Sequence, residues 1–98
     1  KLDMLNGDAN GCPPLQKGMN RDAWSRAFAA AYADFCRRDD RGEEMPIDAY
    51  AAESPAEFFA VMSEAFFATP RAVIAMYPEV YAQLVAFYRQ DPAARLTI

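Results

Sequence analysis

The stretch Ser54-Pro55-Ala56-Glu57-Phe58-Phe59-Ala60-Val61-Met62-Ser63-Glu64-Ala65-Phe66-Phe67-Ala68-Thr69-Pro70 decides the fold. It predicts a helix over 55–68. Ser54 is an N-cap type whose side-chain oxygen can take an orphan amide of the first turn. Pro55 falls at the first helical position, where a missing N–H does no harm, and Thr69-Pro70 stops the helix. Inside it, Phe58, Phe59, Val61, Met62, Phe66 and Phe67 are spaced by alanines. Such a helix is apolar nearly all round and is expected to be buried on most sides.

The flanking sequence supplies the elements to cover it. Upstream, a helix is expected over 21–37 behind an Asn20 N-cap. Trp24, Phe28, Ala31, Tyr32 and Phe35 form one apolar stripe there, while Arg26, Arg37 and Arg38 face solvent. The charged run 37–44, with Gly42 inside it, reads as a solvated surface turn, and 46–52 as a short connector with room for extended backbone. Downstream, a short helix is expected over 70–76, capped by Thr69. A last helix over 78–90 presents Val80, Leu84, Phe87 and Tyr88 to the core and ends at Asp91-Pro92, leaving a tail that frays or docks loosely. At the start, 1–5 resemble the last turns of a helix, closed by Asn6-Gly7, two residues that tolerate the left-handed conformation. The segment 8–19 is a long loop punctuated by Gly11, Pro13, Pro14 and Gly18. There is no internal repeat, and the fold class expected is mainly α.

Composition narrows the function classes. The chain has 98 residues, 53% of them hydrophobic, which suits one domain or less. A net charge of −4 and an isoelectric point near 4.6 argue against a nucleic-acid or anionic-membrane binder, which would show a basic face. No apolar run reaches the roughly 20 residues of a membrane span, and no charged-then-apolar leader is seen. The two cysteines, Cys12 and Cys36, match no metal spacing and read as ordinary reduced thiols. The chain opens on Lys1 with helix-like sequence and no cap before it, as expected of a piece that begins inside an element of a longer protein.

The chemistry-bearing residues are in the helix 55–68. Glu57 and Glu64 lie seven residues apart, and seven steps of about 100° return to nearly the same direction, so both carboxylates share a face. A carboxylate on a buried helix must be paired, hydrogen-bonded or metal-bound. Two answers are open for Glu57. Ser54-Pro55-Ala56-Glu57 spells a capping box in which the Glu reaches back to the N-cap amide, and the residues alone favour that over a metal ligand. Glu64 has the alternatives of a partly exposed position or an ion pair. With no histidine in the chain, Ser-His and Cys-His nucleophilic arrangements are excluded, and no phosphate-cradling loop or paired-cysteine zinc motif is present.

Four segments together resemble the Mlc titration factor A family. They are Lys1-Leu2-Asp3-Met4-Leu5-Asn6-Gly7-Asp8, Ile47-Asp48-Ala49-Tyr50-Ala51-Ala52, Ser54 through Glu64, and Phe87-Tyr88-Arg89-Gln90-Asp91-Pro92. They occur in the family's order and span nearly the whole chain. The resemblance implies a cytosolic zinc peptidase with aminopeptidase-like activity that also binds a glucose-responsive transcriptional repressor. In the family an HExxH motif, two zinc-binding histidines and a general-base Glu, immediately precedes the Lys-Leu-Asp that opens this chain. The resemblance thus makes the chain the helical C-terminal part of a single zincin-like metallopeptidase domain, the intact parent being α+β. The family's third zinc ligand matches Glu57. The Tyr-to-Glu arrangement is also similar to that of the anthrax lethal factor catalytic domain, where the Tyr assists catalysis, and Tyr50 matches it. Asp3, Asn6 and Glu64 are the candidates for outer groups that orient ligands or order loops.

The function expected of the parent is therefore peptide-bond hydrolysis by zinc-activated water. The alternative is a non-catalytic helical interaction module, and a family member without chemistry is a third option. Zinc is expected in the intact parent and not on this chain alone, which lacks the HExxH motif and is expected to be inactive. A peptide substrate and a repressor protein are the expected partners, with no nucleic acid and no membrane. Self-association through uncovered apolar surface of the helix 55–68 is expected of the isolated chain.

Overall fold

A computed structural model of the chain describes residues 13–95. These residues are mainly α, with no strand among them. The helices are α1 (Arg21–Asp40), α2 (Pro55–Ala68), α3 (Pro70–Met76), α4 (Pro78–Tyr88) and α5 (Pro92–Arg95), and a short 3-10 helix (Ala49–Ala52) lies between α1 and α2. The expected start of a helix in 1–5, the Asn6-Gly7 stop and the positions of Asp3 and Asn6 lie outside the described residues.

α1 begins as its cap dictates: the Asn20 side-chain oxygen accepts the Ala23 amide at 2.9 Å. It runs one turn further than the 21–37 expected. Asp34 pairs with Arg37 at 3.1 Å and Arg38 at 3.0 Å along the helix face, which supports that last turn. The stop comes at Gly42, whose φ of +75° is the left-handed step only glycine takes without strain. Its amide donates to the Asp39 carbonyl at 3.0 Å and that of Glu43 to the Arg38 carbonyl at 3.1 Å, the paired bonds of a glycine-terminated helix end. Only the second half of the charged run is therefore a turn. Arg38, drawn back to Asp34, is half-buried and less open to solvent than Arg37.

The connector expected to have room for extended backbone contains the 3-10 helix instead. The Asp48 carboxylate accepts the Tyr50 amide at 2.9 Å and its carbonyl accepts the Ala51 amide at 3.0 Å, closing a tight turn. α2 has the expected bounds. α3 does too, although Thr69 does not cap it: the Thr69 hydroxyl turns back to the Ala65 carbonyl at 3.5 Å. Proline at the first helical position of α2, α3 and α4 lets three helices follow one another with single-residue corners, Thr69 and Tyr77. α4 stops before the 90 expected because Arg89 adopts φ +57° and its amide closes onto the Val85 carbonyl at 2.8 Å. The following segment forms α5 up to residue 95, and the rest of the tail lies outside the described residues. The Tyr81 hydroxyl donates to the Asp91 carboxylate and accepts the Ala93 amide at 3.0 Å, fastening α5.

The core forms where α1, α2 and α4 meet. Trp24, Phe28, Ala31 and Phe35 of α1 face Phe58, Met62 and Phe66 of α2 and Val80, Tyr81 and Leu84 of α4. Phe58 is the hub: its ring lies 5.6 Å from that of Tyr32, 5.9 Å from Phe35, 6.1 Å from Phe28 and 6.3 Å from Tyr77, all edge-on, the arrangement aromatic quadrupoles favour. α2 is buried or half-buried on most sides, as its sequence leads one to expect. Its Phe58–Met62–Phe66 face is fully covered, with the 3-10 helix, α1, α3 and α4 all packing against it, and a strip of Ala56, Ala60, Glu64, Phe67 and Ala68 is left exposed. No described helix is long and apolar enough to cross a membrane.

Candidate functional site

Glu57 occupies the third helical position of α2, one turn after its cap. The Ser54 hydroxyl accepts the Glu57 amide at 3.1 Å, so the cap half of the box is made. The reciprocal arm is not: among the described residues the Glu57 carboxylate has no hydrogen bond or ion pair. It stays half-buried at the edge of the exposed strip of α2, where Ala60, Glu64 and Ala68 continue the same face. A helix start also favours an anionic group.

Tyr50 lies in the 3-10 helix that packs directly on α2. Its side chain is 53% exposed, so it is not a core tyrosine packed beneath α2, and its hydroxyl has no partner among the described residues. Its backbone is held on both sides: the amide donates to Asp48 and the carbonyl accepts the Glu53 amide at 3.0 Å. Glu64 is exposed and carries no ion pair among the described residues. Two turns separate it from Glu57, about 10 Å along the axis, too far for one ion to bind both.

One residue stands out that the sequence placed only in the apolar stripe. Tyr32 of α1 donates its hydroxyl to the Ala52 carbonyl at 3.2 Å, at the end of the 3-10 helix, while its ring packs on Phe58. The Cys36 thiol, one turn on, approaches the same carbonyl at 3.8 Å. Burial and then the neighbouring Cys36 raise the Tyr32 hydroxyl above the usual tyrosine range, keeping it a neutral donor. The only sequence signal was the spacing of two side chains capable of donating, Tyr32 and Cys36, one turn apart.

A group of three or more His, Cys, Asp or Glu side chains able to hold a metal does not occur among the described residues. Glu57 suits zinc as a single oxygen donor, a carboxylate with no other engagement. An open groove of about 580 Å³ between α1 and α4 is lined by Arg26, Ala27, Ala30, Asp34, Tyr77 and Glu79 among others, and neither Tyr50 nor Glu57 reaches it.

Comparison with known proteins bears on this arrangement. The family model described as "Glucose-regulated metallo-peptidase M90" matches residues 1–89. The chain belongs to the M90 family. This M90 chain is 46% identical over 99 residues to Mlc titration factor A of Edwardsiella ictaluri, covering 98% of the chain and 38% of that protein. It is 46% identical over 101 residues to that of Serratia proteamaculans, covering 98% and 37%, and 44% identical over 101 residues to that of Yersinia pestis, covering 98% and 36%. The M90 chain thus spans somewhat over a third of the length of these relatives.

Proposed function

We propose that this chain is the helical C-terminal part of a single-domain cytoplasmic zinc metallopeptidase with aminopeptidase-like activity, to which it contributes Glu57 as a metal ligand and Tyr50 as a hydrogen-bond donor. The observation that carries the reading is the Glu57 carboxylate itself, unengaged at the edge of an exposed helix strip in a member of a metallopeptidase family. When bound, zinc supplies a Lewis acid that acidifies water and polarises a carbonyl. The residues of this chain act around it. Glu57 offers one oxygen, its backbone fixed by Ser54. Tyr50 directs a phenol at the substrate oxygen on which negative charge develops, a contact that strengthens as the bond to the attacking oxygen forms. Asp3, Asn6 and Glu64 order the ligands or loops around the site.

Bound zinc in the full-length Glu57→Gln protein tests the reading. Loss of zinc and of peptide hydrolysis with the fold retained is expected. Full zinc occupancy at normal rate would return Glu57 to the helix cap. The same measurement on Asp3→Ala, Asn6→Ala and Glu64→Ala is expected to show zinc affinity about tenfold lower or worse. Values within about twofold remove those three from the site.

The names of the relatives favour a second, compatible reading. Proteins called Mlc titration factor A are named for a link to Mlc, and this helical part is proposed to present a surface to such a repressor. Glu57→Gln separates the two: repressor binding survives it while hydrolysis does not.

A further inference from the structure

Tyr50 and Glu57 sit on two different elements, the 3-10 helix and α2, joined by Glu53 and Ser54. Each element is held internally, by Asp48 in the first and by Ser54 in the second. Neither contact sets the angle between them. One side chain touches both: Tyr32 of α1 donates to the Ala52 carbonyl at 3.2 Å while its ring lies 5.6 Å from that of Phe58, the neighbour of Glu57. The Ala52 carbonyl ends a 3-10 helix, where the last carbonyls have no partner within the helix, so the hydroxyl supplies the acceptor's partner from outside. We propose that Tyr32 is a positioning residue that fixes Tyr50 relative to Glu57. The proposal rests on the zinc-site reading of these two residues. The bond is partly buried, with Ala51, fully buried, on one side and the half-buried Cys36 on the other.

The test is Tyr32→Phe in the full-length protein, which deletes the hydroxyl and keeps the ring on Phe58. Three quantities are read well below the unfolding temperature: hydrogen exchange of the Glu53 amide, zinc affinity by competition with a chelator, and kcat on a small aminoacyl anilide. Exchange is expected to quicken at least tenfold, and zinc affinity and kcat to fall by tenfold or more, on the scale of losing an outer partner of a metal ligand. Tyr50→Phe made beside it should absorb the kcat effect, so that the double variant is no slower than Tyr50→Phe alone apart from the loss of zinc affinity. Unchanged exchange overturns the proposal. So does faster exchange with zinc affinity and kcat untouched, which makes Tyr32 a fold residue only. Glu57→Gln with full zinc and full rate marks failure of the zinc-site reading instead, and the proposal falls with it for that separate, recognisable reason.

Discussion

Tyr77 and Asp34 show what one residue pair contributes between helices distant in sequence. The Tyr77 hydroxyl donates to Asp34 at 2.8 Å, and the same carboxylate pairs with Arg37 and Arg38. The tyrosine bond first, and then the two arginines, hold the Asp34 carboxyl below the usual carboxylate range against the opposing effect of burial. Burial and then Asp34 push the Tyr77 hydroxyl well above the usual tyrosine value. The signs follow. The contribution of Asp34 is complete above its unfolded pKa of about 3.9 and is lost as pH falls through the lower folded value. That of Tyr77 is complete below about 10 and is lost as pH rises beyond it. Tyr77→Phe is expected to cost about 1.5 kcal/mol at neutral pH, the low end for a bond to a charged group because the arginines remain. Urea unfolding at pH 7 and near pH 2 checks this: the gap between wild type and variant should narrow at the acid end. The second residue-scale expectation concerns Tyr50. Tyr50→Phe in the full-length protein should lower kcat by about tenfold or more, with zinc content unchanged, if its exposed hydroxyl donates to the developing oxyanion. An unchanged rate removes Tyr50 from the mechanism.

At the scale of elements, the start of α2 carries both stability and the candidate site. Ser54 satisfies the amide of the very residue whose carboxylate is free. Ser54→Ala should cost about 1 kcal/mol, measured by urea unfolding. It should also lower zinc affinity in the full-length protein, since the first turn of α2 then frays beneath Glu57. A stability loss with unaltered zinc affinity would separate the cap from the site. The corners of the bundle behave similarly. Proline opens four helices in turn, and Gly42 after α1 and Arg89 after α4 take the left-handed conformation, so these helices have defined lengths and present defined faces.

Among the described residues, one strip of α2 is left open. Phe67, 46% exposed, and the exposed Ala56, Ala60 and Ala68 lie beside the glutamates there, an apolar strip that a monomer keeps in water only at some cost. The isolated 98-residue chain is expected to self-associate through this face, and Phe67→Ser to shift it toward monomer in sedimentation velocity. A wild-type chain that is monomeric at tens of micromolar removes the expectation. The same material is expected to take up no stoichiometric zinc, since it has no imidazole to offer. Stoichiometric zinc with measurable hydrolysis would call for other ligands.

The helices themselves were legible in the chain. Ser54, Asn20 and the prolines at 55, 70 and 78 are local signals acting within one turn, and the apolar stripes repeat at the helical period, so these elements need nothing distant to specify them. The family pattern was equally legible, because it is a string of short segments. The ends were less so: α1 outran its expected stop because Gly42, not the first arginine, closes it, and α4 fell short because Arg89 takes a conformation uncommon for a side chain. Tertiary structure alone decided which face of α2 is covered, that Tyr50 is exposed, and that Glu57 does not close its capping box. It alone brought the Tyr32 hydroxyl to a carbonyl 20 residues away and Tyr77 to a carboxylate 43 residues away. The reason is physical. Propensity and capping act through a residue's own turn, whereas the partner of a side chain that leaves its helix is chosen by how the helices pack, and that choice is made by the core around Phe58 as a whole.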